Sequence, residues 1–172
     1  MADAKRRLGT PMRLALLAIF GICAFALTIV HHWSERHALM INATDSLPNW
    51  AFFVTSGTFP DRGEIVIFDP GRDPLTLSTF GERPQAFAKI AYGLPGDVVS
   101  RKGGEVRVNG KAVASLKPRT RRGEPLAAGP IGIVPEGCVF AGTPHPDGFD
   151  SRYAAVGFVC RDRLVGTGKP IL

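Results

Sequence analysis

The sequence predicts a mainly β protein, with a single N-terminal transmembrane helix followed by a turn-rich, all-β domain. Three observations carry this prediction. The 172 residues include 20 glycines and 14 prolines, a composition that favours short strands and tight turns over long helices. Runs such as Glu64-Ile-Val-Ile-Phe68 gather β-branched and aromatic residues between turn signals. Leu14–Val30, by contrast, is a stretch of 17 residues without a charge. The length suits one domain beyond that stretch rather than two.

Residues 1–12 read as a tail, 13–33 as a membrane anchor and 34–172 as the domain. As a helix, Leu14–Val30 would span about 25 Å, at the short end of what crosses a bilayer. Arg13 bounds it on one side; His31, His32 and Trp33 bound it on the other, and Trp33 suits an interface. Lys5, Arg6 and Arg7 should stay cytoplasmic and send the domain outward. A cleaved signal peptide is the competing reading, since Ala24-Phe25-Ala26 has a small-x-small pattern. Apolar residues continue past Ala26, however, where a polar mature start belongs, and this favours the anchor. A buried core helix fits poorly, because no face of the segment is polar.

Ser34–Met40 reads as a polar-to-mixed linker leading to the turn Asn42-Ala-Thr-Asp-Ser-Leu-Pro48. Trp50–Val54 reads as a strand, either of the core or beside a hydrophobic groove or membrane surface. Pro60–Gly63 is a turn before the strand Glu64–Phe68. Residues 70–85 are broken by turn formers and leave room for one short helix. Phe87–Tyr92 reads as a buried strand, closed by the turn Leu94-Pro-Gly-Asp97. Glu105–Val113 alternates around Asn109-Gly110, the strongest hairpin signal in the chain. Residues 115–129 suggest an exposed loop; Gly132–Ala141 and Gly157–Gly166 suggest further strands around a loop at 142–150.

The net charge of +6 is localised rather than general. Residues 101–122 hold eight basic side chains against Glu105. No aromatic residue interleaves that run, so it offers no platform for base stacking, and nucleic acid is not expected as a partner. A solvated loop or contact with anionic lipid headgroups both fit it. Cys138 and Cys160 fall on predicted strands flanking one loop; they form a disulfide if the domain lies outside the cytoplasm and are otherwise two core thiols, and the bridge is favoured. His31, His32, His37 and His145 have no Cys or carboxylate spacing that completes a metal set, so neither a metal nor a cofactor is expected.

The chemistry centres on one serine and one lysine. Ser46 lies in the turn set by Pro48, and a serine needs a base to become a nucleophile. Lys89 is the only lysine between Arg13 and Gly96, and its neighbours in Phe87-Ala-Lys-Ile-Ala-Tyr92 are apolar. Burial there would depress its pKa toward neutrality. Ser46 is thus the candidate nucleophile and Lys89 its general base. Neither a G-x-S-x-G elbow nor an S-x-x-K pattern surrounds Ser46, and Gly166-Thr-Gly-Lys169 lacks the rest of a phosphate loop.

The spaced segments together resemble the type I signal peptidase family: anchor, serine turn, Arg62–Phe68, Lys89–Asp97, Val108–Lys111 and Phe149–Tyr153. The small size and the N-A-T-D-S-L-P turn look most like its conjugative-transfer, TraF-type branch. The resemblance implies a periplasmic serine peptidase domain on a single-pass bacterial inner-membrane anchor with a cytoplasmic N-terminus. The implied partners are the lipid bilayer, a membrane-embedded pilin precursor or preprotein as substrate, and conjugation machinery. It further implies that Thr44 helps the Ser46 N–H bind the oxyanion, and that Asp150 and Arg152 brace the wall beside Lys89. The chain departs from the family where a serine precedes the aspartate by two residues: here stands Gly148, and Ser151 occupies a different slot. A general preprotein signal peptidase and a non-catalytic tethered component of a secretion apparatus are the alternatives.

Overall fold

The computed structural model describes residues 9–171; the tail cations Lys5, Arg6 and Arg7 lie outside the described residues. The first element, α1 (Thr10–Ser34), starts with Pro11 in its first turn, where a missing N–H costs nothing. Its 25 residues extend about 37 Å, and it is long and apolar enough to cross a membrane. None of its residues is buried against protein. It starts ahead of the expected anchor boundary at residue 13 and ends one residue past the expected boundary at 33.

The chain divides between Arg36 and His37. The second unit contains strands β1 (His37–Ile41), β2 (Ala51–Ser56), β3 (Ile65–Phe68), β4 (Phe87–Gly93), β5 (Val98–Lys102), β6 (Glu105–Val108), β7 (Lys111–Ser115), β8 (Gly132–Ile133), β9 (Cys138–Gly142), β10 (Val159–Cys160) and β11 (Leu164–Pro170), with one short helix, α2 (Pro74–Phe80). They form a seven-stranded sheet in the order β1-β2-β11-β3-β4-β9-β10 and a four-stranded sheet in the order β7-β6-β5-β8. Every pairing is antiparallel, in line with the mainly β expectation.

Continuous apolar runs became interior strands. All four residues of β3 are buried, because β11 and β4 flank it and both its faces are covered. Phe52, Val54, Ile65, Ile67 and Ala88 make one core cluster with Leu47, the residue after Ser46. Val66, Phe68, Ala91, Val139, Ala141, Val156 and Val159 make another. A third, with Val99, Val106, Val108 and Phe140, includes residues of both sheets. Trp50 is exposed while Ala51, Phe52 and Val54 are buried, so the Trp50–Val54 segment serves mainly as core.

Three segments differ from the sequence reading. Residues 37–40, read as the end of a linker, form edge strand β1 together with Ile41, paired from His37↔Thr55 to Ile41↔Ala51. Leu39 and Ile41 remain 63% and 64% exposed, so no inward-outward alternation marked the strand; its order comes from the backbone ladder to β2. The run 132–141 is two strands in different sheets, interrupted by the turn at Gly137 (φ 70°). The run 157–166 likewise breaks into β10 and β11 around a turn at 161–163. Strand β5, not anticipated at all, pairs with β6 across Gly103-Gly104.

Asp97 joins three of the segments on which the family resemblance rests. Its carboxylate accepts from the Leu94 N–H (2.6 Å), from Asn109 Nδ2 (2.7 Å) and from Arg62 (2.8 Å). It thereby ties the Leu94–Asp97 turn to the Asn109-Gly110 hairpin and to the segment before β3. Asn109 and Gly110 both have positive φ (49° and 80°), as their two-residue hairpin turn requires. The guanidinium of Arg62, chiefly, holds the Asp97 carboxyl down to about 2.

Candidate active site

Ser46 sits in a turn organised by Asn42. The Asn42 side chain donates to the Leu47 and Asn49 carbonyls (3.1 and 2.8 Å) and accepts from the Thr44 N–H and hydroxyl (3.1 Å each). An asparagine bonded this way substitutes for backbone turn contacts and fixes the loop. Leu47, buried against Phe52 and Ala88, anchors the other end. Ser46 is left half-buried between these two fixed points.

Lys89 reaches that serine from β4, in the middle of the seven-stranded sheet. Its Nζ lies 2.9 Å from Ser46 Oγ, across 43 residues of sequence. Its residue is only 6% exposed, and the Ser46 contact is the hydrogen bond its amine makes among the described residues. Burial lowers its pKa from 10.5 to about 8; Asp150 opposes that shift and Arg152 reinforces it. The fall is smaller than the drop to near 7 suggested by its apolar neighbours, because the Asp150 carboxylate favours the charged form.

Thr44 Oγ1 stands 2.9 Å from Ser46 Oγ and donates or accepts there. The same hydroxyl can instead donate to Asn42 Oδ1, in which case it accepts from Ser46, so Asn42, Thr44 and Ser46 form a hydrogen-bonded chain that ends at Lys89. With the amine charged, the ammonium donates to Ser46; with it neutral, the Ser46 hydroxyl can donate to nitrogen.

Asp150 and Arg152 form a fully buried ion pair, at 2.8 Å (Nε–Oδ1) and 2.9 Å (Nη2–Oδ2). Arg152 also donates to the carbonyls of Ser115, His145 and Thr143. Such a pair is sustained by saturating its hydrogen bonds. Its link to the catalytic candidates runs through Thr143, which no motif or local pattern singles out. The Thr143 N–H donates to Asp150 Oδ2 (3.1 Å), and its buried hydroxyl donates to the backbone carbonyl of Ser46. Ser151 is elsewhere: its hydroxyl accepts from the Ala141 N–H (3.0 Å), pinning β9. Asn42 and Thr143 are thus the additional site residues; an asparagine opening a turn was a local signal for the first, and nothing local marked the second.

Two cavities meet at Ser46. One, of about 510 Å³, lies between the extended segments 40–43 and 85–89 and is lined by Met40, Ile41, Ala86, Ala88 and Lys89. The other, of about 330 Å³, has Ser46 and Thr44 at one end and residues 117–126 along its wall. Among the described residues no group of three or more His, Cys, Asp or Glu side chains is arranged to hold a metal ion. Cys138 and Cys160, neighbours across β9 and β10, are joined as a disulfide.

Residues 12–172 match the family described as signal peptidase, peptidase S26. Over 108 residues the chain is 37% identical to a protein from Synechocystis sp. described as "Probable signal peptidase I-2". That alignment spans 62% of this chain and 45% of the Synechocystis protein, so the chain matches about half the length of that relative.

Proposed function

The chain belongs to the signal peptidase S26 family, and on that premise we propose that it is a membrane-anchored serine endopeptidase in which Lys89 activates Ser46. The observation that carries this reading is the 2.9 Å approach of a buried amine to the hydroxyl of a turn held on both sides. Neutral Lys89 takes the Ser46 proton as Ser46 Oγ attacks the scissile carbonyl. The tetrahedral oxygen is stabilised by the Ser46 N–H with the help of Thr44, and its collapse gives an acyl-enzyme while the ammonium of Lys89 returns the proton to the leaving amine. Water, deprotonated by the same lysine, then releases the acyl group. Asp150 and Arg152 act at one remove, holding Thr143 and through it the Ser46 carbonyl.

The 510 Å³ cavity between segments 40–43 and 85–89 takes the residues before the scissile bond. Its extended walls suit an extended substrate, and Ala86 and Ala88 with Met40 suit small side chains. The substrate is a membrane-held precursor delivered to a periplasmic domain, with the α1 anchor keeping the enzyme in the inner membrane. The small size and the N-A-T-D-S-L-P turn favour a pilin precursor of conjugative transfer, within reach of the conjugation machinery. If a tethered amine attacks the acyl-enzyme before water does, the product is cyclic. A general preprotein substrate range is the second reading, favoured by the likeness to the Synechocystis protein described as a signal peptidase.

The test is precursor processing by the wild type, Ser46→Ala and Lys89→Ala proteins, with product mass recorded. Cleavage by the wild type alone supports the proposal, and a product lighter by one water identifies cyclisation. Cleavage that survives either substitution would overturn it, leaving a tethered, non-catalytic β domain.

A further inference from the structure

The basic stretch after β7 is not consumed by the chemistry above, yet it forms the wall of the 330 Å³ cavity that ends at Ser46. This cavity shares Thr44, Ser46, Phe80, Asp147 and Phe149 with the 510 Å³ one, but Lys89 lines only the latter. Its charges are not all satisfied internally. Lys117 and Arg121 both pair with Asp147, the latter at 2.6 Å. Glu124 accepts from the hydroxyls of Thr120 and Ser78 (3.1 and 3.3 Å). Arg119 and Arg122 have no carboxylate partner among the described residues: each donates one N–H to a backbone carbonyl, Gly123 (2.8 Å) and Ser78 (3.2 Å) respectively. A guanidinium has five N–H donors, so most of their capacity is open to a ligand. The Thr79 hydroxyl in the same cavity is buried and has no partner among the described residues either.

We infer that this cavity is the leaving-side subsite and takes a short acidic peptide segment just after the scissile bond, its carboxylate held by Arg119 and Arg122. The inference rests on the proposed assignment of the 510 Å³ cavity to the acyl side. Arginine suits the task because its planar fork binds a carboxylate through two parallel N–H bonds. A lipid headgroup, the other anionic candidate, fits less well: the cavity ends on the nucleophile itself, so an occupant not continuous with the substrate would obstruct attack. The volume lies at the lower end of the range of small-ligand sites, enough for a few residues.

The experiment uses the full chain in neutral detergent and two peptides differing only after the scissile bond, Glu-Glu against Gln-Gln. Cleavage is measured for the wild type and for Arg119→Gln/Arg122→Gln; binding of both peptides is measured separately on Ser46→Ala. The expected result is a kcat/KM about tenfold higher for the acidic peptide, shrinking with added salt and falling to near parity in the double variant. Tighter binding of the acidic peptide by Ser46→Ala should accompany it. Equal cleavage and equal binding of the two peptides, or a preference that survives the double variant, overturns the inference. So does a defect of the double variant seen only on vesicles containing phosphatidylglycerol, which would assign the arginines to lipid. Loss of cleavage with the binding preference retained would instead count against the proposed peptidase reading and leave the acidic subsite standing.

Discussion

The Thr143 methyl group fills the space that a side chain at position 148 would need. A β-carbon on Gly148 would overlap Thr143 Cγ2 and come within 2.8 Å of Arg152 Nη2 and 2.9 Å of Asp150 Oδ2. The two positions are therefore alternatives for one volume beside the buried ion pair. In this chain the volume belongs to Thr143, whose hydroxyl reaches the Ser46 carbonyl.

Gly148→Ala should accordingly destabilise the protein by about 1–3 kcal/mol, the range for overpacking a filled site. Thr143→Ser, which removes the methyl and keeps the hydroxyl, should recover part of that loss when combined with it. Urea unfolding of the two single variants and the double variant measures the coupling. Strict additivity would mean that the two side chains do not compete.

Thr143→Val keeps the shape and deletes the hydrogen bond to the backbone carbonyl of Ser46. Precursor cleavage should slow about tenfold, in kcat rather than KM, as expected when positioning is lost. Thr143→Ser should retain most of the rate. If valine and threonine perform alike, the contact is structural only.

Activity should rise with pH through about 8, the value to which burial lowers Lys89. At pH 7 such an amine is neutral in about a tenth of the molecules. Folding stability should follow the same group. Its folded pKa of about 8 lies below the ordinary 10.5, so the unfolded chain binds more protons across that window and stability gains as pH rises through it. Below pH 8 the cost of burying the charge is fully present. A pH–rate profile and unfolding of wild type against Lys89→Met across the window test both signs.

Asp97 sets the acid limit. Its carboxyl is held at about 2 against an ordinary 3.8, so the stability it contributes is complete above pH 4 and is lost as pH falls toward 2. Asp97→Ala leaves the Leu94 N–H, the Asn109 amide and Arg62 without their acceptor, and should cost about 2–3 kcal/mol at neutral pH. It should also flatten the acid dependence measured by denaturation between pH 2 and 4.

The Cys138–Cys160 bridge closes 22 residues of chain. In the chain-entropy view that stabilises by about 3 kcal/mol. Cys138→Ala/Cys160→Ala should lose a comparable amount, and a reducing agent should lower the unfolding midpoint of the wild type but not of this variant.

Much of this was legible along the chain. The uncharged run 14–30 became the core of α1, Asn109-Gly110 made its hairpin, and Glu64–Phe68 and Phe87–Tyr92 became interior strands. These signals are local: side-chain chemistry and backbone preference over a few residues suffice. The strand β1 was not legible, because Leu39 and Ile41 face outward and only pairing with β2 orders them. Thr143 was not legible either, since a threonine just after β9 is unremarkable until its neighbours in space are known.

By itself the sequence determined which residues could do the chemistry: one serine in a turn set by Pro48 and one lysine among apolar neighbours, while the Asp150–Arg152 pair entered only through the family resemblance. It also determined that Gly148 could not supply a hydroxyl. The tertiary structure alone decided that Ser46 and Lys89 meet, because their approach depends on β4 lying in the middle of the sheet and on Leu47 docking beside Ala88. It decided, too, how far the lysine pKa falls. That value depends on how much water the surrounding elements exclude and on where the Asp150 charge comes to rest, and both are properties of packing between residues distant in the chain.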